Sequence, residues 1–216
     1  HDVFPEVDDG PVRLEATDLG HPLLEKPVRN DVAMNAPGEA WIITGSNMSG
    51  KTTLMRATGL NTVMALAGLP VCAATMKVSR VQVLTSMRVK DSLERGVSYF
   101  YAEVQRVKTV LDTAKANPER CLFFLDELFM GTNARERLIA SRKLLFTLLD
   151  LGASGAVTTH DLALTELVTE RPAKVRNVHF RDEVKDGDMT FDYRLREGVV
   201  QTTNALEVLR RAGIEM

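Results

Sequence analysis

Gly45-Ser46-Asn47-Met48-Ser49-Gly50-Lys51-Thr52 matches in full the Gly-x-x-x-x-Gly-Lys-[Ser/Thr] pattern of a phosphate-binding loop, and Thr53 follows it. The flanks are those the pattern requires. Trp41-Ile42-Ile43-Thr44 is a short apolar run ending at Gly45, the profile of a buried parallel strand, and Thr52 to Leu66 reads as a helix with Leu54, Ala57, Ala65 and Leu66 among its apolar positions. Each residue type has a physical reason. Gly45 and Gly50 allow backbone angles and close approach that a side chain forbids. The amides from Gly45 through Ser46, Asn47, Met48, Ser49 and Gly50 to Thr53 then turn inward as an anion nest at a helix N-terminus. Lys51 places a positive charge on the β- and γ-phosphates, and the Thr52 hydroxyl is a ligand for Mg²⁺.

Two further segments belong to the same chemistry. Cys121-Leu122-Phe123-Phe124-Leu125 is a fully apolar strand that ends in Asp126-Glu127. Two carboxylates at the end of a buried strand are costly unless cations or hydrogen bonds meet them. Beside a phosphate loop, Asp126 is assigned to the metal and Glu127 to general-base work on the attacking water. Thr158-Thr159-His160-Asp161 follows the short strand Gly155-Ala156-Val157-Thr158. The carboxyl end of such a strand faces the ligand crevice. His160 is expected to contact the γ-phosphate or the attacking water, with a hydrogen-bonded structural histidine as the rival reading, and Asp161 to cap the next helix.

Working outward, residues 1–40 are interrupted by five prolines and suggest short extended pieces and turns, while 41–216 carry the ATPase-type core with a C-terminal hairpin and helix. Val78 to Leu84 reads as one strand. Phe100 to Ala116 reads as a helix through Val104, Val107, Val110, Leu111 and Ala114, and a third helix carries Leu138, Leu144, Leu145, Leu148 and Leu149. This alternation predicts an α/β fold: a P-loop NTPase whose mostly parallel central sheet is covered by helices. Met189, Phe191, Tyr193 and Leu195 alternate with polar residues, so an antiparallel hairpin with Val175 to Val184 is expected, turning at Asp186-Gly187. A last helix is expected from about Thr203 to Ala212.

Asp126-Glu127-Leu128-Phe129-Met130-Gly131-Thr132-Asn133, together with the Asn47-Met48 loop and Thr158-Thr159-His160-Asp161, resembles the ATPase domain of the MutS family of DNA mismatch repair proteins. The resemblance runs from about His21 to Gly213 and implies an ABC-type ATPase using ATP and Mg²⁺. A third stretch, Asp91 to Phe100 followed by Glu103, is similar to the family segment that sends a serine across a dimer interface. The resemblance therefore implies that Ser98 reaches the partner's γ-phosphate, in a homodimer formed through the ATPase face. Bottom-up, Ser98 also reads as a helix N-cap. Asn133 and Glu136 make a plausible capping pair. This sequence departs from the family at Ser49, where Gly is common, at Tyr99, where Thr is common, and at Phe129-Met130. It also lacks an aromatic near Val28-Arg29-Asn30-Asp31, where family members stack one on adenine. These departures point to a divergent MutS-like branch. DNA would be handled by upstream modules absent from this stretch.

Composition sets the remaining bounds. The chain has 216 residues, 44% hydrophobic and 26% charged, with 27 Lys and Arg against 29 Asp and Glu for a formal charge of −2. Such a balance excludes disorder and a DNA grip built on bulk positive charge. The longest mostly apolar stretch, Val63 to Met76, is broken by Gly68 and Pro70 and is too short to span a bilayer, so no membrane partner is expected. Two cysteines, Cys72 and Cys121, suit reduced thiols and a cytoplasmic setting. A start at His1 suggests excision from a longer chain. The leading reading is a Mg²⁺-dependent ATPase of a mismatch repair protein; the alternatives are a dimerisation module in which nucleotide binding alone is the function, and a MutS-like ATPase in a DNA transaction other than mismatch repair. An Asn-Lys-x-Asp guanine motif and a Leu-Ser-Gly-Gly-Gln-like element are both missing, which ranks GTPase and transporter readings low.

Overall fold

The computed structural model describes residues 3–87, 99–185 and 188–200. Ser98, the Asp186-Gly187 turn and the C-terminal helix expected near 203–212 lie outside the described residues.

The chain runs β1 (Glu6–Asp8), β2 (Leu14–Leu19), β3 (Asn30–Met34), β4 (Ala40–Thr44), α1 (Lys51–Leu66), β5 (Thr75–Ser79), β6 (Gln82–Ser86), α2 (Tyr99–Ala116), β7 (Cys121–Asp126), α3 (Ala134–Asp150) and β8 (Ser154–Thr158). A 3₁₀ turn (Leu162–Glu166), a short α4 (Leu167–Glu170), β9 (Val175–Lys185) and β10 (Asp188–Glu197) complete it. The main sheet has the order β10-β9-β4-β8-β7-β6. Its five strands from β9 to β6 are parallel, and β10 adds an antiparallel edge.

The apolar runs of β4 and β7 are explained by burial on both faces. Trp41, Ile43, Leu122 and Phe124 point into one core, shared with α1 and the second sheet. Ile42, Phe123 and Leu125 point into the other, shared with α2 and α3. Period-two alternation thus persists inside a continuous hydrophobic stretch, each side chain having a different layer to fill. The sheet packs closely at Gly155, where a Cβ would stand 2.0 Å from the Phe123 carbonyl oxygen.

The second sheet has four strands in the order β1-β5-β2-β3. Sequence patterning did not reveal it, since its strands are three to six residues long and interrupted by proline. The run Val78 to Leu84, expected as one strand, is two. β5 pairs with β2 in the small sheet, and β6 pairs with β7 in the main one. The chain crosses between the sheets at Arg80-Val81, where a single straight strand could not satisfy both sets of partners. Leu54, Ala57 and Ala65 of α1 are buried as expected, whereas Leu66 is exposed. Asn61, fully buried on α1, is satisfied by the Gly20 and Ala57 carbonyls and the Cys72 amide.

The hairpin of β9 and β10 forms, but the strict alternation of β10 does not survive. Its register shifts between Phe191 and Leu195, and Tyr193 takes a left-handed φ of 56°. Such a bulge re-aims the side chain of the extra residue.

Candidate nucleotide site

Register places the candidate groups together at the carboxyl end of the main sheet. Ile43 pairs with Thr158, and Thr158 pairs with Asp126, so β4, β8 and β7 end side by side. The loops that follow these strands carry Gly45–Gly50, His160 and Glu127.

The loop has the backbone that its glycines were expected to supply. Gly45 sits at φ 141° and Gly50, the N-cap of α1, at φ 112° with no side chain capping the helix. A Cβ at Gly45 would stand 2.8 Å from the Ser49 hydroxyl and 2.9 Å from the Phe180 carbonyl oxygen. Met48, at φ 68°, is largely exposed. The Ser46 and Ser49 hydroxyls are buried and, among the described residues, meet no hydrogen-bond partner. Lys51 is buried, and its Nζ donates to the Gly45 and Ser46 carbonyls, each at 2.8 Å. Thr53 is exposed on the first turn of the helix.

Asp126 is buried at the end of β7. The Thr52 hydroxyl donates to it at 3.0 and 3.2 Å, and the Thr158 hydroxyl donates to its Oδ1 at 2.6 Å. The same Thr158 oxygen accepts from the Glu127 amide at 3.0 Å. One threonine therefore ties the two acids together. Patterning singled out the Thr158 segment but not this bridge, because the bridge depends on the β7–β8 register.

Glu127 is also buried, at a left-handed φ of 48°, and Phe129 has a φ of 57°. Non-glycine residues in this region each cost on the order of 1–3 kcal/mol and persist only where their surroundings enforce them. His160 Nε2 lies 2.6 Å from Glu127 Oε1 and 3.1 Å from Asn47 Oδ1. Since a carboxylate only accepts, Nε2 carries the proton in the pairing with Glu127. Asp161 caps the following turn by accepting from the Ala163 amide. Asn133 caps α3 through the Glu136 amide, while the Glu136 carboxylate accepts from the Thr132 hydroxyl instead of closing a capping box.

Beside the loop, between the two sheets, lies a cavity of about 440 Å³. Pro27, Val28, Leu54 and Ala57 line it, Gly50 and Thr53 form the side toward the loop, and Tyr193 stands at its edge. Asn30 accepts from the Leu195 amide at 2.7 Å and donates to the Tyr193 carbonyl at 3.0 Å, holding the bulge that presents the ring. The sequence offers no aromatic near Val28, and the ring at this cavity comes from β10. No sequence signal pointed to it, since Tyr193 reads as one step of an alternating strand.

A family model for MutS domain V matches residues 41–216. The chain belongs to the MutS domain V family. This is an ATPase-domain family, as the loop and the two acids led us to expect. Endonuclease MutS2 of Streptococcus thermophilus is 30% identical over 98% of this chain and 26% of that protein. The DNA mismatch repair protein MutS of Aquifex pyrophilus is 33% identical over 98% of this chain and 25% of its own length. DNA mismatch repair protein MutS 2 of Halobacterium salinarum is 31% identical over 90% of this chain and 23% of its length. This MutS domain V therefore spans about a quarter of the length of the relatives it matches. No helix among the described residues is long and apolar enough to cross a membrane.

Proposed function

We propose that this MutS domain V has the ABC-type P-loop fold, binds ATP with Mg²⁺ against the Gly45–Thr53 loop and hydrolyses it. The observation that carries the proposal is the convergence of that loop, the Asp126-Glu127 pair and His160 at the carboxyl end of the main sheet, with the Ser46 and Ser49 hydroxyls buried and unpartnered there among the described residues.

On this reading the adenine lies in the cavity beside Tyr193, whose exposed ring offers a stacking surface. The triphosphate lies along the loop amides. Lys51 Nζ exchanges the Gly45 and Ser46 carbonyls for β- and γ-phosphate oxygens, a swap between acceptors that keeps the buried ammonium satisfied. The donor set fits Mg²⁺, because the Thr52 hydroxyl and the Asp126 carboxylate already meet through hard oxygen atoms. The metal, when bound, supplies positive charge to the β- and γ-phosphate oxygens. Glu127 accepts a proton from the attacking water as the new P–O bond forms. The β–γ bridging oxygen keeps the electrons of the bond that breaks, and ADP and phosphate result. His160 holds the Glu127 carboxylate in place and lies within reach of the same water.

From the family resemblance we further propose that two copies pair through this face, with Ser98 acting in trans, and that the whole protein couples the cycle to DNA through its other modules.

Calorimetry with ATP, and phosphate release by the wild type, K51A and E127Q, test the reading. K51A is expected to lose tight ATP binding, and E127Q to bind normally but turn over at least about a hundredfold more slowly. Equal inertness of wild type and E127Q, with ATP-dependent pairing retained, would instead favour a dimerisation module.

A further inference from the structure

Glu103 is a buried carboxylate that the chemistry above leaves without a task. It projects from α2, is 8% exposed, and its Oε1 accepts from the Phe129 amide at 2.5 Å. Its Oε2 is buried and, among the described residues, has no hydrogen-bond partner. A carboxylate held in this way costs desolvation energy that one hydrogen bond does not return, so a purely packing role would be served better by an apolar side chain. Burial raises the Glu103 carboxyl above the ordinary range, against the opposing pull of the Phe129 amide and the Arg106 charge.

The amide it grips is the third of a strained corner. Glu127 and Phe129 are both left-handed, with Leu128 buried between them. Two hydrogen bonds pin the ends of this corner. The Glu127 amide donates to Thr158, and the Phe129 amide donates to Glu103. Phe100, also on α2, packs its ring 6.4 Å from that of Phe129. It leaves no room for a side chain at Gly131, where a Cβ would stand 2.9 Å from the Phe100 Cβ. Helix α2 therefore braces the corner at several points, of which Glu103 is the polar one.

We propose that Glu103 is a positioning residue for Glu127: by holding the Phe129 amide it maintains the left-handed corner that aims the Glu127 carboxylate at the reacting water. This rests on the reading of Glu127 as the base. The inference extends that reading by making turnover depend on a side chain that touches neither nucleotide nor water. Loss of the clamp lets the corner relax toward ordinary backbone angles and turns Glu127 away from the His160 side. Nucleotide binding, which uses the loop after β4 and the Thr52–Asp126 contact ahead of the corner, is left intact.

The test compares E103A, E103Q and E103D with wild type and E127Q. The readouts are steady-state phosphate release at saturating Mg-ATP, ADP affinity, and hydrogen exchange at the Phe129 amide. E103A is expected to lower kcat by about ten- to a hundredfold, the scale of a misplacement near 1 Å, with KM for ATP and ADP affinity little changed. Exchange at the Phe129 amide should become faster. E103Q keeps a carbonyl acceptor at the same reach and should retain most of kcat and the slow exchange. E103D is one methylene short and should behave like E103A, which carries the test if the alanine variant does not fold. An E103A or folded E103D variant with wild-type kcat, beside an inactive E127Q, overturns the clamp while leaving Glu127 as the base. An E103Q defect as large as that of E103A, or a parallel loss of ADP affinity in E103A, also overturns it. Full turnover by E127Q would instead remove the reading on which the clamp depends.

Discussion

His160 Nε2 and Glu127 Oε1 stand 2.6 Å apart, so a histidine in the loop after β8 and the acid after β7 are hydrogen-bonded to each other. The pairing orients a carboxylate that sits on strained backbone, and Asn47 of the phosphate loop approaches the same nitrogen at 3.1 Å. The loop, Glu127 and the histidine thus form one connected group. H160A should therefore lower kcat by about ten- to a hundredfold while ADP affinity stays close to wild type. Steady-state kinetics with calorimetry checks this. A faster variant would show that His160 restrains Glu127 instead of aiming it.

Thr158 offers a test of the bridge between the two acids. T158V keeps the shape of the side chain but removes one donor to Asp126, which retains Thr52, and leaves the Glu127 amide only its longer 3.3 Å bond to the Thr158 carbonyl. Leaving these buried groups less fully satisfied should lower the unfolding free energy by about 1–3 kcal/mol, read from urea denaturation, and weaken the Mg²⁺ dependence of ATP binding. A variant as stable as wild type would mean that the strand end rearranges to satisfy both groups.

The cavity beside the loop predicts a split between binding and chemistry. Base stacking on an aromatic ring is worth about 1–3 kcal/mol. Y193A should therefore raise KM for ATP by roughly ten- to a hundredfold with little change in kcat. Y193F, which keeps the ring, should match wild type. A Y193A variant with unchanged KM would place the base elsewhere.

The bulge that presents Tyr193 also carries a pH signature. The Arg196 guanidinium, helped by the Arg194 amide, holds the Asp192 carboxyl down at about 2, against an ordinary value of 3.8. A carboxylate whose pKa is lower in the folded state adds stability above its unfolded value and loses it as pH falls through the folded one. The contribution of Asp192 should thus be complete above about pH 4 and fade toward pH 2. Urea unfolding across that window should show a steeper acid loss for wild type than for D192N. Parallel curves would assign the acid limb to other groups.

How much of this was legible in advance follows from the range of each interaction. The strand Trp41–Thr44, the loop and α1 form one contiguous segment, as do the apolar run of β7 and its terminal acids, and their elements appear within a residue or two of expectation. The second sheet was not legible, because its short strands gain stability only from partners far along the chain, as β2 does from β3 and β5. The same holds for the break at Arg80-Val81 and for the bulge at Tyr193, which Asn30 of another sheet secures.

By itself the sequence determined which groups could handle a phosphate, since a glycine-flanked loop running into a helix is dictated by backbone sterics over a few neighbouring residues. Only the tertiary structure decided how those groups meet. Strand register brings Thr158 between Asp126 and Glu127. Packing of α2 sets Glu103 on the corner behind Glu127, and the contact between sheets turns Tyr193 toward the loop. Such pairings join residues tens of positions apart, and the burial that enforces them exists only once the whole domain has closed around its two cores.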